Sequence, residues 1–358
     1  MQDGFEQYAQ EIENGLKHDG FLSCFRSLDE IEEEDATWLI PGWIPEGQIT
    51  LMAGNGGAGK STMWVHLAAD LSAGRPTILC PEEGQEPMKI AFCTTEDSVK
   101  KKLRRKLREA GADLSMITAM DVGSDVTGEL RSFKFGSPLM ARFIREIRPA
   151  LCIFDPVQGF IPPDVNMGSR NAMRDCLAPL ITLGEEFGTT FIVVCHTNKR
   201  TGAYGRDRIA DSADLWDISR SVLMCGSTGD DGVRYISQEK NNYDSLAQTV
   251  LFSIDDNGRI VFKCRTWKRD REFVAERNEI SSKPKLEQAS EWIIAYLSEH
   301  GGDAKSTIMQ ADAINAGFAA KTFRNAKDSL KADGKIRYYT TGSKSDKEWH
   351  TAIATPFD

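Results

Sequence analysis

The sequence predicts an α/β fold: a mostly parallel sheet with helices on both faces, followed by a small helical unit. Three observations carry that expectation. The strand candidates are continuous apolar runs rather than alternating ones, which suits strands buried on both sides. Helical stretches separate the early strands, the pattern of right-handed βαβ units. A glycine-rich loop also stands between the first of these strands and the first helix.

Residues 1–35 read as a short helix and connector, with Asp29-Glu30-Ile31-Glu32-Glu33-Glu34-Asp35 a solvated acidic flank. The core, residues 36–274, opens with the proline- and glycine-punctuated segment Trp38–Gly47. The apolar run Gln48–Ala53 is the first strand, and Met63–Leu71 continues with helical apolar spacing. Further strand candidates are Lys89–Thr95, Ala150–Phe154 and Thr190–Cys195, separated by helical stretches at Val99–Ala110, Ser137–Ile147 and Arg170–Phe187. Ser221–Cys225, Val233–Ser237 and Thr249–Ser253 then follow closely, with turn signals at Asp231-Gly232 and Asp256-Asn257-Gly258. They read as antiparallel hairpins closing one edge of the sheet. Residues 275–285 are polar and read as a linker. In residues 286–358, three helical patterns (286–299, 305–316, 320–332) and a two-stranded tail suggest a winged helix-turn-helix.

The composition excludes little beyond membrane spans and disulfide scaffolds. The apolar fraction is 41%, ample for a core, and no run of about 18 uncharged apolar residues exists. The N-terminus lacks the basic and apolar regions of a signal peptide. Eight cysteines are scattered without a C-x-x-C pair, which fits buried free thiols in a reducing cytoplasm. A net charge of −9 argues against a surface basic all over but leaves room for focused positive charge.

The chemistry is carried by Gly54-Asn55-Gly56-Gly57-Ala58-Gly59-Lys60-Ser61-Thr62, which matches G-x-x-x-x-G-K-[ST]. With a strand before it and a helix after it, such a loop wraps phosphates in backbone N–H groups at a helix N-terminus. Lys60 is then expected to reach the β- and γ-phosphates of ATP, and Ser61 to place its hydroxyl on Mg²⁺. Asp155, ending the run 150–154, stands where a buried strand delivers a magnesium-holding carboxylate. The next residue is Pro156, not an acid, so the base for water attack has to come from elsewhere. Glu96, at the tip of the strand after the phosphate-loop helix, is the candidate. His196 ends the strand 190–195 and is placed to face the γ-phosphate.

In this order and on successive strand tips, Gly54–Thr62, Glu96, Asp155 and His196 resemble the RecA-like core of hexameric replicative helicases. The likeness spans about residues 36–265 and is nearest to RepA-type and DnaB-type enzymes of phages and plasmids. The resemblance implies a RecA-like ATPase core that forms a homo-oligomeric ring, a hexamer, working on single-stranded DNA. It also implies that Arg220 is an arginine finger reaching a neighbour's γ-phosphate, with Lys240 assisting. Loops 158–170, including Arg170, and 199–208 correspond to channel loops. The second carries Lys199, Arg200, Arg206 and Arg208 around Tyr204, cations for a backbone and an aromatic for stacking. The glycines of that loop also suit a mobile lid with no nucleic-acid role. The basic run Lys100–Arg108 is expected to be a solvated helix face, with Leu103 and Leu107 turned inward. In the C-terminal unit, Lys321, Arg324 and Lys327 lie on the expected recognition helix, for contact with duplex DNA or with protein. The rival functions are a recombinase or annealing ATPase, and a DNA-binding regulatory or loading ATPase without unwinding activity.

Overall fold

A computed structural model of the chain describes residues 25–121, 128–198, 203, 205–209, 214–282, 284–342 and 347–354. Its main feature is a nine-stranded sheet. The strands are β3 (Ile49–Gly54), β4 (Ile90–Thr94), β5 (Ile117–Ala119), β6 (Leu151–Asp155), β7 (Thr190–His196), β8 (Ser221–Ser227), β9 (Val233–Asn241), β10 (Thr249–Ile254) and β11 (Ile260–Thr266). They lie in the order β11-β10-β9-β8-β3-β7-β6-β4-β5. From β8 to β5 every pairing is parallel, while β8–β9, β9–β10 and β10–β11 are antiparallel. A short hairpin, β1 (Trp38–Ile40) with β2 (Ile44–Pro45), precedes them.

Alternation along β3 explains the two cores. Ile49, Leu51 and Ala53 face one side, packing with α3 (Pro138–Ile147), α4 (Arg170–Phe187) and α5 (Asp214–Ile218) residues such as Met140, Leu177 and Leu215. Met52 faces the other side, with Met63, Trp64 and Leu67 of α1 (Lys60–Ser72) and Leu107 of α2 (Arg104–Glu109). Each central strand is thereby apolar on both faces, which is why its run is continuous in the sequence. The sheet is of the α/β class, mostly parallel, with its antiparallel hairpins at one edge.

Several elements depart from the sequence reading. The edge strands β5 and β11 are not among the strand candidates: β5 is three residues long, and the apolar run of β11, Ile260–Phe262, is short, with Val261, Phe262, Lys263 and Cys264 exposed. The stretch 99–110 divides into a π-helical turn, Val99–Leu103, and α2, with Leu103 and Leu107 buried beneath mostly exposed cations. The expected linker 275–285 is largely helical: α6 spans Asp270–Ser282, and buried Phe273 and Val274 in its first turn anchor the polar remainder. Of the expected N-terminal helix, residues 1–24 lie outside the described residues, and Leu28–Glu30 is a single 3₁₀ turn.

The C-terminal unit comprises α7 (Lys285–Glu299), β12 (Asp303–Lys305), α8 (Ser306–Asn315), α9 (Ala320–Ala332), β13 (Ile336–Thr341) and β14 (Glu348–Ile353). Its three strands pair antiparallel in the order β12-β14-β13, one strand more than the sequence pattern shows. Phe323, Ala326 and Leu330 of α9 turn inward onto Ile293 and Leu297 of α7, forming a core of its own. Gly317 turns the chain before α9 at φ +92°, a left-handed conformation that glycine adopts freely. Among the described residues, no helix is long and apolar enough to cross a membrane. The described cysteines are all free, five of them buried, and Cys24 lies outside the described residues.

Candidate nucleotide-binding site

The sheet brings the tips of four adjacent parallel strands to one edge. In register, Gly54 sits beside His196 and Cys225, and Thr94 beside Asp155. The phosphate loop leaves this edge tightly held. A Cβ on Gly54 would lie 2.3 Å from the Cys225 carbonyl oxygen, so only glycine lets β3 and β8 approach this closely. Gly57 and Gly59 adopt φ of +77° and +92°, and Gly59 stands as the N-cap residue of α1. The loop between them therefore delivers backbone N–H groups at a helix N-terminus, the arrangement that binds phosphate.

Lys60, the first residue of α1, is 7% exposed. Its Nζ donates to the carbonyls of Gly54 and Asn55 at 2.7 and 3.0 Å and stands 3.3 Å from His196 Nδ1. Burial pulls its amine below the ordinary lysine range, against the opposing pull of charges that include Asp155 and Glu96. An ammonium can only donate, so a hydrogen bond here needs Nδ1 of His196 as its acceptor. The ring's Nε2 lies 3.6 Å from Oε1 of Glu96, whose carboxylate is exposed at the tip of β4. The Glu96 and Asp97 amides both donate to Thr94 Oγ1 at 3.3 Å, which fixes the turn that presents Glu96. Lys60, His196 and Glu96 thus form a polar chain across three strand tips.

Asp155 is 8% exposed, and its Oδ2 accepts from Ser61 Oγ at 3.0 Å and Trp64 Nε1 at 2.7 Å. Burial raises its carboxyl pKa, and the Trp64 and Ser61 hydrogen bonds oppose the rise. A hydroxyl and a carboxylate oxygen held together beside the phosphate loop are the oxygen donors that Mg²⁺ prefers. Among the described residues, no three His, Cys, Asp or Glu side chains converge as a metal cluster. A cation on Ser61 and Asp155 would therefore take its other oxygens from nucleotide and water. The peptide Asp155–Pro156 is cis.

Two further side chains complete the site. Trp64, one helical turn beyond Lys60, orients Asp155 from the α1 side. The Thr197 hydroxyl donates to Asn55 Oδ1, and its amide to the Gly54 carbonyl at 3.2 Å, tying the end of β7 to the phosphate loop. Trp64 carries a sequence signal, an indole at helical spacing on the phosphate-loop helix; Thr197 carries none beyond its place after His196.

Arg220 and Lys240 lie elsewhere. Arg220 precedes β8, and its neighbour Ser221 pairs with Thr50, at the opposite end of β3 from Gly54. Four residue steps of strand separate that level from Cys225, roughly 13 Å at about 3.3 Å per residue. Arg220 is thus remote from its own phosphate loop. Lys240 pairs with Val222 near the same end. Its Nζ, however, donates to the carbonyls of Trp216, Asp217 and Ser219 at 3.1, 3.0 and 2.7 Å. In the single chain this expected assisting cation is engaged: three carbonyls at and just beyond the C-terminus of α5 take all three donors, and burial lowers the amine pKa.

The channel-loop residues divide in the same way. Lys199, Arg200 and Tyr204 lie outside the described residues. Arg206 is half-exposed and ion-paired with Asp217. Arg208 is 4% exposed and donates to the fully buried Asp270, which also accepts from Tyr235 Oη at 2.8 Å. It is a core ion pair rather than a surface cation for a strand, which a count of basic residues in the loop cannot reveal. In the first loop, Phe160 and Ile161 are buried in the sheet core, and Arg170 begins α4. In α9, Lys321 and Arg324 are exposed. Lys327 instead lies over the Tyr338 ring of β13, 4.7 Å from its centroid, and burial lowers its pKa.

A family model described as AAA domain matches residues 21–202. Curated relatives similar to this chain are named DNA repair protein RadA. That of Bacillus subtilis (strain 168) is 22% identical over 224 residues, covering 62% of this chain and 42% of the relative. That of Synechocystis sp. is 23% identical over 260 residues, covering 71% of this chain and 45% of the relative. The chain thus spans less than half the length of these relatives. A solved structure, the KaiC-like protein from Pyrococcus horikoshii OT3, is similar at 19% identity with a TM-score of 0.42, over 64% of this chain and 100% of that one.

Proposed function

The chain belongs to the AAA-domain family, and from that membership we propose that it is an ATP-driven motor acting on single-stranded DNA. It is a RecA-like P-loop ATPase; the finer assignment is a helicase of the RepA-like kind from a phage or mobile element. The observation that carries the reading is the chain Lys60–His196–Glu96, set beside the Ser61–Asp155 pair on one sheet edge. The phosphate-loop amides and Lys60 hold the triphosphate, and Ser61 and Asp155 hold Mg²⁺. Bound Mg²⁺ supplies neutralisation of the β- and γ-phosphate charge. Glu96 orients the attacking water and accepts its proton. His196, between Lys60 and Glu96, registers whether a γ-phosphate is present and passes that state to the loop after β7. Arg220 completes a neighbouring subunit's site in a ring. The C-terminal unit, read as a winged helix, offers Lys321 and Arg324 to duplex DNA or to a protein.

Relatives named for DNA repair support DNA as the polymer, and they also favour a second reading, a recombinase or annealing ATPase. Strand displacement by the full chain, measured beside ATPase stimulation by single-stranded DNA, separates the two. Stimulation with unwinding and rings in electron micrographs is expected of the motor. Stimulation with filaments and no unwinding would assign the second reading. No stimulation at all would reject both in favour of a regulatory or loading ATPase.

A further inference from the structure

A cation outside this constellation also lies against the phosphate loop. Arg234 is the second residue of β9 and pairs with Ser227 at the end of β8, the sheet edge on which Gly54 pairs with Cys225. Its side chain runs back over the loop. A Cβ built on Gly59 would meet Arg234 Cδ at 3.2 Å and Nε at 3.7 Å, with Ile254 Cδ1 at 3.5 Å beside them. The guanidinium is nearly unspent. Its Nη1 donates to the Gly232 carbonyl at 3.3 Å, and its Nε is buried with no acceptor. Among the described residues it has no carboxylate partner.

The placement carries two costs. The N-terminus of α1 already carries the positive end of the helix dipole, so a cation beside Gly59 is unfavourable there. A buried donor without an acceptor adds a further cost. Both costs vanish when an anion occupies the loop. A guanidinium suits that task, because its fork of donors matches phosphate oxygens.

We propose that Arg234 is a phosphate ligand acting within its own subunit, donating to the α- and β-phosphate oxygens of the nucleotide held on the Gly59 and Lys60 amides. The proposal rests on the nucleotide-binding reading above and adds a residue to it. It also gives Gly59 a second duty, since any side chain there would displace the arginine stem.

The test is equilibrium binding of Mg-ATP and Mg-ADP to the full chain and to Lys60→Ala, Arg234→Ala, Arg234→Met and Arg234→Lys. Arg234→Met keeps the apolar stem, so thermal melts of the two neutral variants separate loss of fold from loss of charge. The wild type is expected to bind both nucleotides. The neutral variants should weaken both by a similar factor, about tenfold or more, as for a lost charge-assisted hydrogen bond. Arg234→Lys should recover part of the loss. Folded neutral variants that bind both nucleotides like the wild type would overturn the proposal while leaving the nucleotide site standing. Weakening confined to ATP would also overturn it, because the contact would then be to the γ-phosphate. A wild type that binds neither nucleotide, like Lys60→Ala, would reject the broader reading instead.

Discussion

Nζ of Lys60 stands 3.3 Å from Nδ1 of His196, and the far nitrogen of the same ring points at Glu96 from 3.6 Å. The residue proposed to bind phosphate and the residue proposed to activate water are therefore one imidazole apart. Glu96→Gln should bind ATP within a few-fold of wild type while turnover falls by about a hundredfold or more, the scale of a lost general base. His196→Ala should retain binding, lose about tenfold in turnover, and lose the response to single-stranded DNA. ATP titrations paired with phosphate release with and without DNA measure both. An unchanged rate in Glu96→Gln would remove the base assignment.

Asp155 should be worth more to catalysis than it costs in stability. Its folded pKa is raised by burial, so the uncharged form is favoured in the folded state. The associated stability is fully present below the unfolded carboxyl value of 3.8 and is lost as pH rises through the raised folded value. At neutral pH the ionised group is a net cost, which Asp155→Asn removes while its amide oxygen still accepts from Ser61 and Trp64. Without nucleotide, Asp155→Asn should melt higher than wild type at pH 7, and the difference should shrink as pH falls toward 4. Magnesium-dependent hydrolysis should be abolished.

Arg208 and Asp270 make a different prediction, because neither lies at the phosphate loop. Removing the arginine leaves a fully buried carboxylate with only Tyr235 and no countercharge. Arg208→Ala should destabilise the chain by about 3–5 kcal/mol, the range for breaking a buried pair. Denaturant titration reads this. A loss below about 1 kcal/mol would place the pair among exposed ones, which are worth that little.

In α9, the three cations predicted alike should behave differently. Lys327 is engaged over Tyr338, whereas Lys321 and Arg324 are exposed. If the unit binds duplex DNA, Arg324→Ala and Lys321→Ala should each weaken it and flatten its salt dependence by about one charge. Lys327→Met should leave the salt slope unchanged and act on the melting temperature instead. Equal slopes for all three variants would show that Lys327 leaves Tyr338 to meet the phosphates.

Much of the core was legible because its chemistry is local in sequence. Gly54–Thr62 lies at one strand–helix junction, and Asp155, Glu96 and His196 each end an apolar run, so the tips of a parallel sheet had to bring them together. What was not legible depends on partners far along the chain. Arg208 reads as a surface cation until Asp270, 62 residues later, meets it in the core. Lys240 reads as a free cation until the end of α5 supplies three carbonyls. Strand β11 escaped notice because its apolar run, Ile260–Phe262, is only three residues long before Lys263, and α6 because its polar composition resembles a linker. Arg234 escaped because a cation on a hairpin strand has no motif; only the register of β8 with β9 sets it beside the glycine of another segment.

The distance along β8 between Arg220 and the phosphate loop has a consequence at the level of the cell. On the role proposed for Arg220, a solitary copy can hold fuel but cannot burn it, since its own finger is at the wrong end of its own strands. Abundance then becomes the ignition. The protein would lie idle when scarce and start working at the concentration where copies meet, with no separate inhibitor required.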